Sequence, residues 1–136
     1  MLGFDTLYHN SYDDAELARI SVQEKRILLT RDRGLLKRSI VTHGYLVRNE
    51  NPQLQVKEIV DRFDLVGEIA PFQRCLRCNI LLEPASPENV ASSVPPRVRK
   101  KGYTYKCCPC CHRVFWKGTH YNKMADFISL LTESYR

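Results

Sequence analysis

A chain of 136 residues holds one ordinary domain or two small ones, and a unit below about 70 residues usually needs a metal or another staple. No apolar run nears the roughly 20 residues that cross a bilayer, and no basic start leads into an apolar stretch with a cleavage site; a soluble cytoplasmic protein with reduced thiols is expected. The net charge of +6 is uneven: residues 1–69 have 10 Lys+Arg against 11 Asp+Glu and residues 70–136 have 11 against 4, which makes a phosphate backbone the expected partner of the second half.

In chain order, Leu2–Tyr8 reads as a short strand. Asn10-Ser-Tyr-Asp13-Asp14 is a polar turn that can cap a helix, whose face is Leu17, Ala18, Ile20 and Ser21 and which stops at Glu24-Lys-Arg. Ile27–Thr30, bounded by charges, predicts a buried strand of a parallel sheet. Arg31-Asp32-Arg-Gly34 leaves the C-terminal end of that strand, where ligands collect in open α/β sheets. A short helix over Leu35–Arg38 and a strand over Gly44–Arg48 follow. Pro52 then opens a helix whose Val56, Ile59, Val60 and Phe63 recur at core-facing intervals. The first half, residues 1–69, is thus expected to be an α/β layer.

Residues 70–136 are organised by cysteine. Cys75-Leu-Arg-Cys78 is answered about thirty residues later by Cys107-Cys108-Pro-Cys110-Cys111. Two facing C-x-x-C turns can aim four sulfurs at one tetrahedral zinc ion, which predicts a zinc ribbon. Cys107/Cys110 and Cys108/Cys111 have the same spacing, and spacing leaves both pairs open. A disulfide framework calls for an oxidising compartment. A thioredoxin-like thiol pair calls for a single C-x-x-C at a strand-to-helix junction. Four thiolates and one Zn²⁺ would still leave this half about five positive charges in excess.

Between the pairs, Glu83-Pro-Ala-Ser-Pro-Glu-Asn and Pro95-Pro96 read as an exposed, breaker-rich excursion. Arg97, Arg99, Lys100 and Lys101 then precede an aromatic strand, Tyr103–Lys106, whose expected hairpin partner is Arg113–Lys117. Lys and Arg interleaved with rings suit single-stranded RNA, holding phosphates and stacking bases, although in so small a unit several rings must be core. His120 stands just before a last helix, where an imidazole can contact a phosphate or pass a proton. Met124, Phe127, Ile128 and Leu131 stripe that helix, which is expected to dock the ribbon on the α/β layer.

Asp14 at a helix start and Asp32 at a strand end can both reach one rim of the sheet, with Asp13 beside them. Carboxylates at such a rim bind Mg²⁺ or Mn²⁺, ions that activate water for phosphoryl displacement. Composition by itself assigns these acids to caps and turns.

Five stretches change that weighting. Asp14-x-x-Leu17-x-x-x-Ser21 followed by Ile27-Leu-Leu-Thr30-Arg-Asp32-Arg-Gly-Leu resembles the acidic motifs of PIN-like nucleases. Arg74-Cys-Leu-x-Cys-Asn79, Val94-Pro-Pro-x-Val98 and Cys108-Pro-x-Cys-x-Arg-Val-Phe-Trp-x-Gly-Thr-His-Tyr121 resemble the Mut7-C family, a PIN-like domain joined to a zinc ribbon. The resemblance implies a metal-dependent ribonuclease in which Asp14, Asp32 and Asp13 serve the catalytic metal. It also implies Cys75, Cys78, Cys108 and Cys111 as ligands of a structural zinc. The family pattern sets a strand with an aspartate, and a helix, ahead of Leu2–Tyr8, so the α/β layer is expected to be N-terminally incomplete. RNA contacts are expected from Arg97, Arg99, Lys100, Lys101, Arg113, Lys117 and His120. An RNA-binding protein without catalysis is the alternative.

Overall fold

The helix that follows the Asn10–Asp14 turn runs over Asp14–Gln23 (α1) in the computed structural model, which describes residues 1–136. It starts there because the Asp13 carboxylate accepts the Glu16 N–H at 2.7 Å. It ends where Lys25 turns left-handed, with φ of 53°. Ser21, buried on the inner face, donates its hydroxyl to the Arg26 carbonyl at 2.7 Å and so costs no unpaired polar group. Strand β1 (Leu28–Thr30) follows, then α2 (Arg33–Leu36) and β2 (Gly44–Leu46). β1 and β2 pair in parallel, Leu28 beside Gly44 and Thr30 beside Leu46.

Ala18, Leu28 and Leu35 form the core of this layer, with Leu17, Leu36 and Val41 packed against it. Burying a leucine such as Leu35 contributes about 1.5–3 kcal/mol, and Ala18 less. Gly44 lies so close to Leu36 that a side chain at this position would overlap it. The strand expected to be buried on both faces is covered on one: Leu28 is 8% exposed and Leu29 is 40% exposed. On the other face Tyr45, beside Leu29, packs on Phe63 with ring centroids 5.7 Å apart, and Leu29 itself is left partly in water.

Helix α3 (Pro52–Phe63) begins where the Asn51 side chain accepts the N–H groups of Gln53 and Leu54, with Pro52 in the first turn. Asp64 closes it in the left-handed conformation. Val60 is buried in the expected stripe, and Val56, Ile59 and Phe63 are half-buried. The loop from β2 to α3 is held by one carboxylate. Glu58 accepts Tyr45 OH (2.9 Å), Arg48 N–H (2.9 Å), Asn49 N–H (3.0 Å) and Asn49 Nδ2 (2.6 Å).

The chain divides into two compact units, Tyr8–Leu65 and a cysteine-rich unit made of Met1–Leu7 with Val66–Arg136. The first seven residues thus join the second half, and no strand forms over Leu2–Tyr8. Their backbone makes two separate bonds instead, Ala70 N–H to Leu2 C=O and Phe72 N–H to Met1 C=O, each 3.0 Å. Pro71 has no N–H to offer and Phe72 is left-handed, so a regular ladder cannot continue. Gly3, with φ of 99°, passes so near the Ala70 carbonyl that only a hydrogen fits on its Cα.

The excursion between the cysteine pairs is ordered rather than exposed throughout. Glu83–Pro84 forms an edge strand, β3, which tolerates proline there, and helix α4 covers Pro87–Ser93. Ser86 and Asn89 close a reciprocal capping box at the start of α4, and Val94 at its end is buried. A short α5 (Pro96–Arg99) follows. β4 (Lys106–Cys107) pairs antiparallel with β3 and with β5 (Val114–Phe115), so the expected hairpin exists with a ladder of two residues per strand. Last comes α6 (Thr119–Glu133), which belongs to the cysteine-rich unit and buries Ile128 and Leu131.

Candidate functional site

Two turns of the cysteine-rich unit have the same backbone design. In the first, Asn79 N–H donates to Cys75 C=O (2.9 Å) and Cys75 N–H donates to Ile80 C=O (2.8 Å). In the second, His112 N–H donates to Cys108 C=O and Cys108 N–H to Arg113 C=O, both at 2.9 Å. The residue after the second cysteine is left-handed in each, Asn79 at φ 59° and His112 at φ 60°. Amides inside the turns point at sulfur: Arg77 and Cys78 N–H lie 3.4 Å from Cys75 Sγ, and Cys111 N–H lies 3.5 Å from Cys108 Sγ.

The turns bring the sulfurs of Cys75, Cys78, Cys108 and Cys111 within 4.8 Å of one another. The Cys75 and Cys111 sulfurs are 3.7 Å apart. A tetrahedron with Zn–S bonds of about 2.3 Å has edges of about 3.8 Å, so these four thiols can hold a metal such as zinc. Of the two pairings that spacing left open, the one gathered here is Cys108/Cys111. Cys110 is exposed, and Cys107 is buried with its sulfur turned to the Cys108 carbonyl. Burial raises the Cys107 thiol, keeping it protonated and suited to packing. The Arg113 N–H instead lowers Cys111 to about 7, and a hydrogen bond with Cys111 raises Cys78. Amides that favour thiolate are what a metal ligand needs, because the bound form is the anion.

The acids of the α/β unit sit at element starts. Asp13 caps α1, and Asp14 is the first residue of that helix. Asp32 caps α2, its Oδ1 accepting the Gly34 N–H at 2.7 Å, while its own N–H donates to Thr30 Oγ1 at 3.0 Å. The Thr-x-Asp pattern is therefore a turn that fixes the carboxylate at the end of β1. Each capping acid keeps a second oxygen free of the cap. Asp13, Asp14 and Asp32 do not form a group like the four-thiol one, with one another or with a histidine. Glu58 was not singled out by sequence, since its partners come from a loop ten residues away. Backbone N–H groups of Arg48 and Asn49 hold its carboxyl down at about 2.

Arg97, Arg99, Lys100, Lys101, Arg113, Lys117 and His120 are all exposed. The first four cluster on and just after α5, and the Tyr105 hydroxyl ties that segment down by donating to the Val98 carbonyl at 3.3 Å. Tyr103, Tyr105 and Trp116 form a row of half-buried rings with centroids 6.5 Å and 6.1 Å apart. Lys117 lies over the Tyr121 ring at 5.7 Å, and Tyr121 packs on Phe72 at 4.1 Å. Basic side chains thus flank rings that are partly core and partly open.

The Mut7-C RNAse domain family model matches residues 1–128. The chain belongs to the Mut7-C family. As an RNAse domain, Mut7-C points to a nuclease and to nucleic acid as what it acts on. No curated protein and no solved structure matches the chain. No helix of this Mut7-C protein is long and apolar enough to cross a membrane.

Proposed function

We propose that this protein is a ribonuclease in which a PIN-like α/β layer carries the chemistry and a zinc ribbon grips single-stranded RNA. The Mut7-C match over residues 1–128 is the observation that carries this reading. Asp14 and Asp32, with Asp13 beside them, would hold Mg²⁺ or Mn²⁺. Such ions commonly take only one or two protein carboxylates and leave their other positions to water and phosphate, so this sparse donor set fits. When bound, the ion supplies Lewis-acid activation of water and neutralises charge on the phosphate. Asp32 contributes a fixed direction: with one oxygen held by Gly34 N–H and its backbone tied to Thr30, its second oxygen has little freedom. Cys75, Cys78, Cys108 and Cys111 would bind zinc for structure, and Arg97, Arg99, Lys100, Lys101, Arg113, Lys117 and His120 would hold phosphates.

The test is cleavage of end-labelled single-stranded RNA by the zinc-loaded chain with added Mn²⁺, beside Asp32→Asn purified identically. Cleavage that the substitution abolishes, with RNA binding retained, supports the nuclease. A second reading, RNA binding without hydrolysis, draws on the caps that Asp13 and Asp32 already make and on the absence of a converging group of three acids. RNA bound but uncut by the unsubstituted chain would select it.

A further inference from the structure

The residues on either side of the first thiol pair reach out of the metal turn and take hold of the N-terminal segment. Arg74, immediately before Cys75, donates Nε–H to the Gly3 carbonyl (3.0 Å) and Nη1–H to the Asn79 carbonyl (2.8 Å). Asn79, immediately after Cys78, donates Nδ2–H to the Phe4 carbonyl (3.1 Å), and its Oδ1 accepts the Thr6 N–H (2.8 Å). Asp5 adds an ion pair to Arg74 at 3.9 Å. Segment Met1–Leu7 has no ladder of its own, so these side chains and the two amides of Ala70 and Phe72 are its fastenings.

Where Asn79 points is decided by the thiol turn. Its backbone is left-handed and its N–H donates to Cys75 C=O, so it is the closing residue of the turn that aims Cys75 and Cys78 at one centre. The unit around that turn has a small interior. Its buried side chains are Cys75, Val94, Cys107, Cys108, Ile128 and Leu131, half of them cysteine. A small unit with so few aliphatic groups inside takes its order from the metal.

We infer that metal binding at the four-thiol cluster clasps Met1–Leu7 through Arg74 and Asn79, so that the segment leading into the α/β unit is fastened more tightly in the loaded protein. The inference rests on the metal-holding role of the four thiols. Linkage makes it reciprocal: a clasp tightened by metal must tighten metal binding in return.

Two substitutions approach the clasp from opposite ends. Asn79→Gly keeps a residue suited to the left-handed turn and removes both side-chain bonds. Gly3→Ala leaves the turn untouched and forces the segment away from Ala70. Zinc affinity of the full chain is measured by competition with a chromogenic chelator, and exchange of the Thr6 amide by NMR. Each variant is expected to bind one equivalent of zinc about tenfold more weakly than the parent, with Thr6 exchange faster by a similar factor, in line with the loss of one or two hydrogen bonds. Gly3→Ala with the parent's zinc affinity, or Thr6 equally protected with and without metal, would overturn the clasp while leaving the zinc site standing. A parent chain that takes up no zinc would sink both.

Discussion

The two units solve the problem of small size differently. The α/β unit buries Ala18, Leu28, Leu35, Val47 and Val60 with one satisfied serine, whereas the cysteine-rich unit fills half of its buried positions with thiols. The first is held by side chains leaving water, a term that grows with area and yields gradually to substitution. The second gathers four thiols at one point that can hold a metal such as zinc, and a unit held that way fails all at once. That contrast teaches where each unit tolerates change.

The largest break is expected from Cys108→Ser or from strong chelation. Structural zinc in small domains is worth on the order of 10 kcal/mol, so near-ultraviolet dichroism of Trp116 and protection over β4, β5 and α6 should vanish together. Survival of those signals in a metal-free chain would mean that the aliphatic residues suffice. Next, Leu35→Ala should cost the α/β unit about 2–5 kcal/mol through a cavity beside Ala18 and Leu28. Chelator competition should meanwhile show the zinc site unaffected. Asp13→Ala should cost about 1 kcal/mol by uncapping α1, and Asp13→Asn much less, because the amide oxygen can still accept the Glu16 N–H. Equal thermal shifts in the two variants would show that charge, not capping, is what Asp13 supplies.

The finest distinction concerns pH. Glu58 in the folded chain sits at about 2, below its ordinary 4.5, because Arg48 and Asn49 donate backbone N–H groups to it. Its contribution is therefore complete above pH 4.5 and is lost as pH falls toward 2. Melting of the α/β unit should drop across that window, and the drop should shrink in Glu58→Gln. A drop of the same size in the variant would assign the acid sensitivity to other carboxylates.

Periodicity made α1, β1, β2, α3 and α6 legible, since each follows from apolar spacing, a cap residue or proline at a start. Cysteine spacing likewise announced the four thiols that converge. What escaped has a common cause, which is dependence on partners distant in the chain. Leu2–Tyr8 has the composition of a strand, but its neighbours are Pro71, a left-handed Phe72 and two side chains more than seventy residues onward. Asn79 left one local signal, an asparagine directly after a C-x-x-C, where a residue tolerant of positive φ is favoured. The ordered excursion left another: Ser86-Pro-Glu-Asn89 spells a capping box with proline in the first turn, overshadowed by its breakers. The two faces of β1 could not be told apart from Ile27-Leu-Leu-Thr30, because the pattern does not reveal how many layers will cover a sheet.

The division of the chain has a thermodynamic consequence. The α/β unit is a single stretch, Tyr8–Leu65, whose two ends both run into the cysteine-rich unit. With Met1–Leu7 clasped, that stretch would be a closed loop of roughly 60 residues, and a metal in the four-thiol cluster would act on it as a removable cross-link. Closing a loop of that size in the unfolded chain is worth at most about 4 kcal/mol. Metal would then raise the stability of α1 and α3 through chain entropy alone, and withdrawing it would loosen a core that contains no thiol.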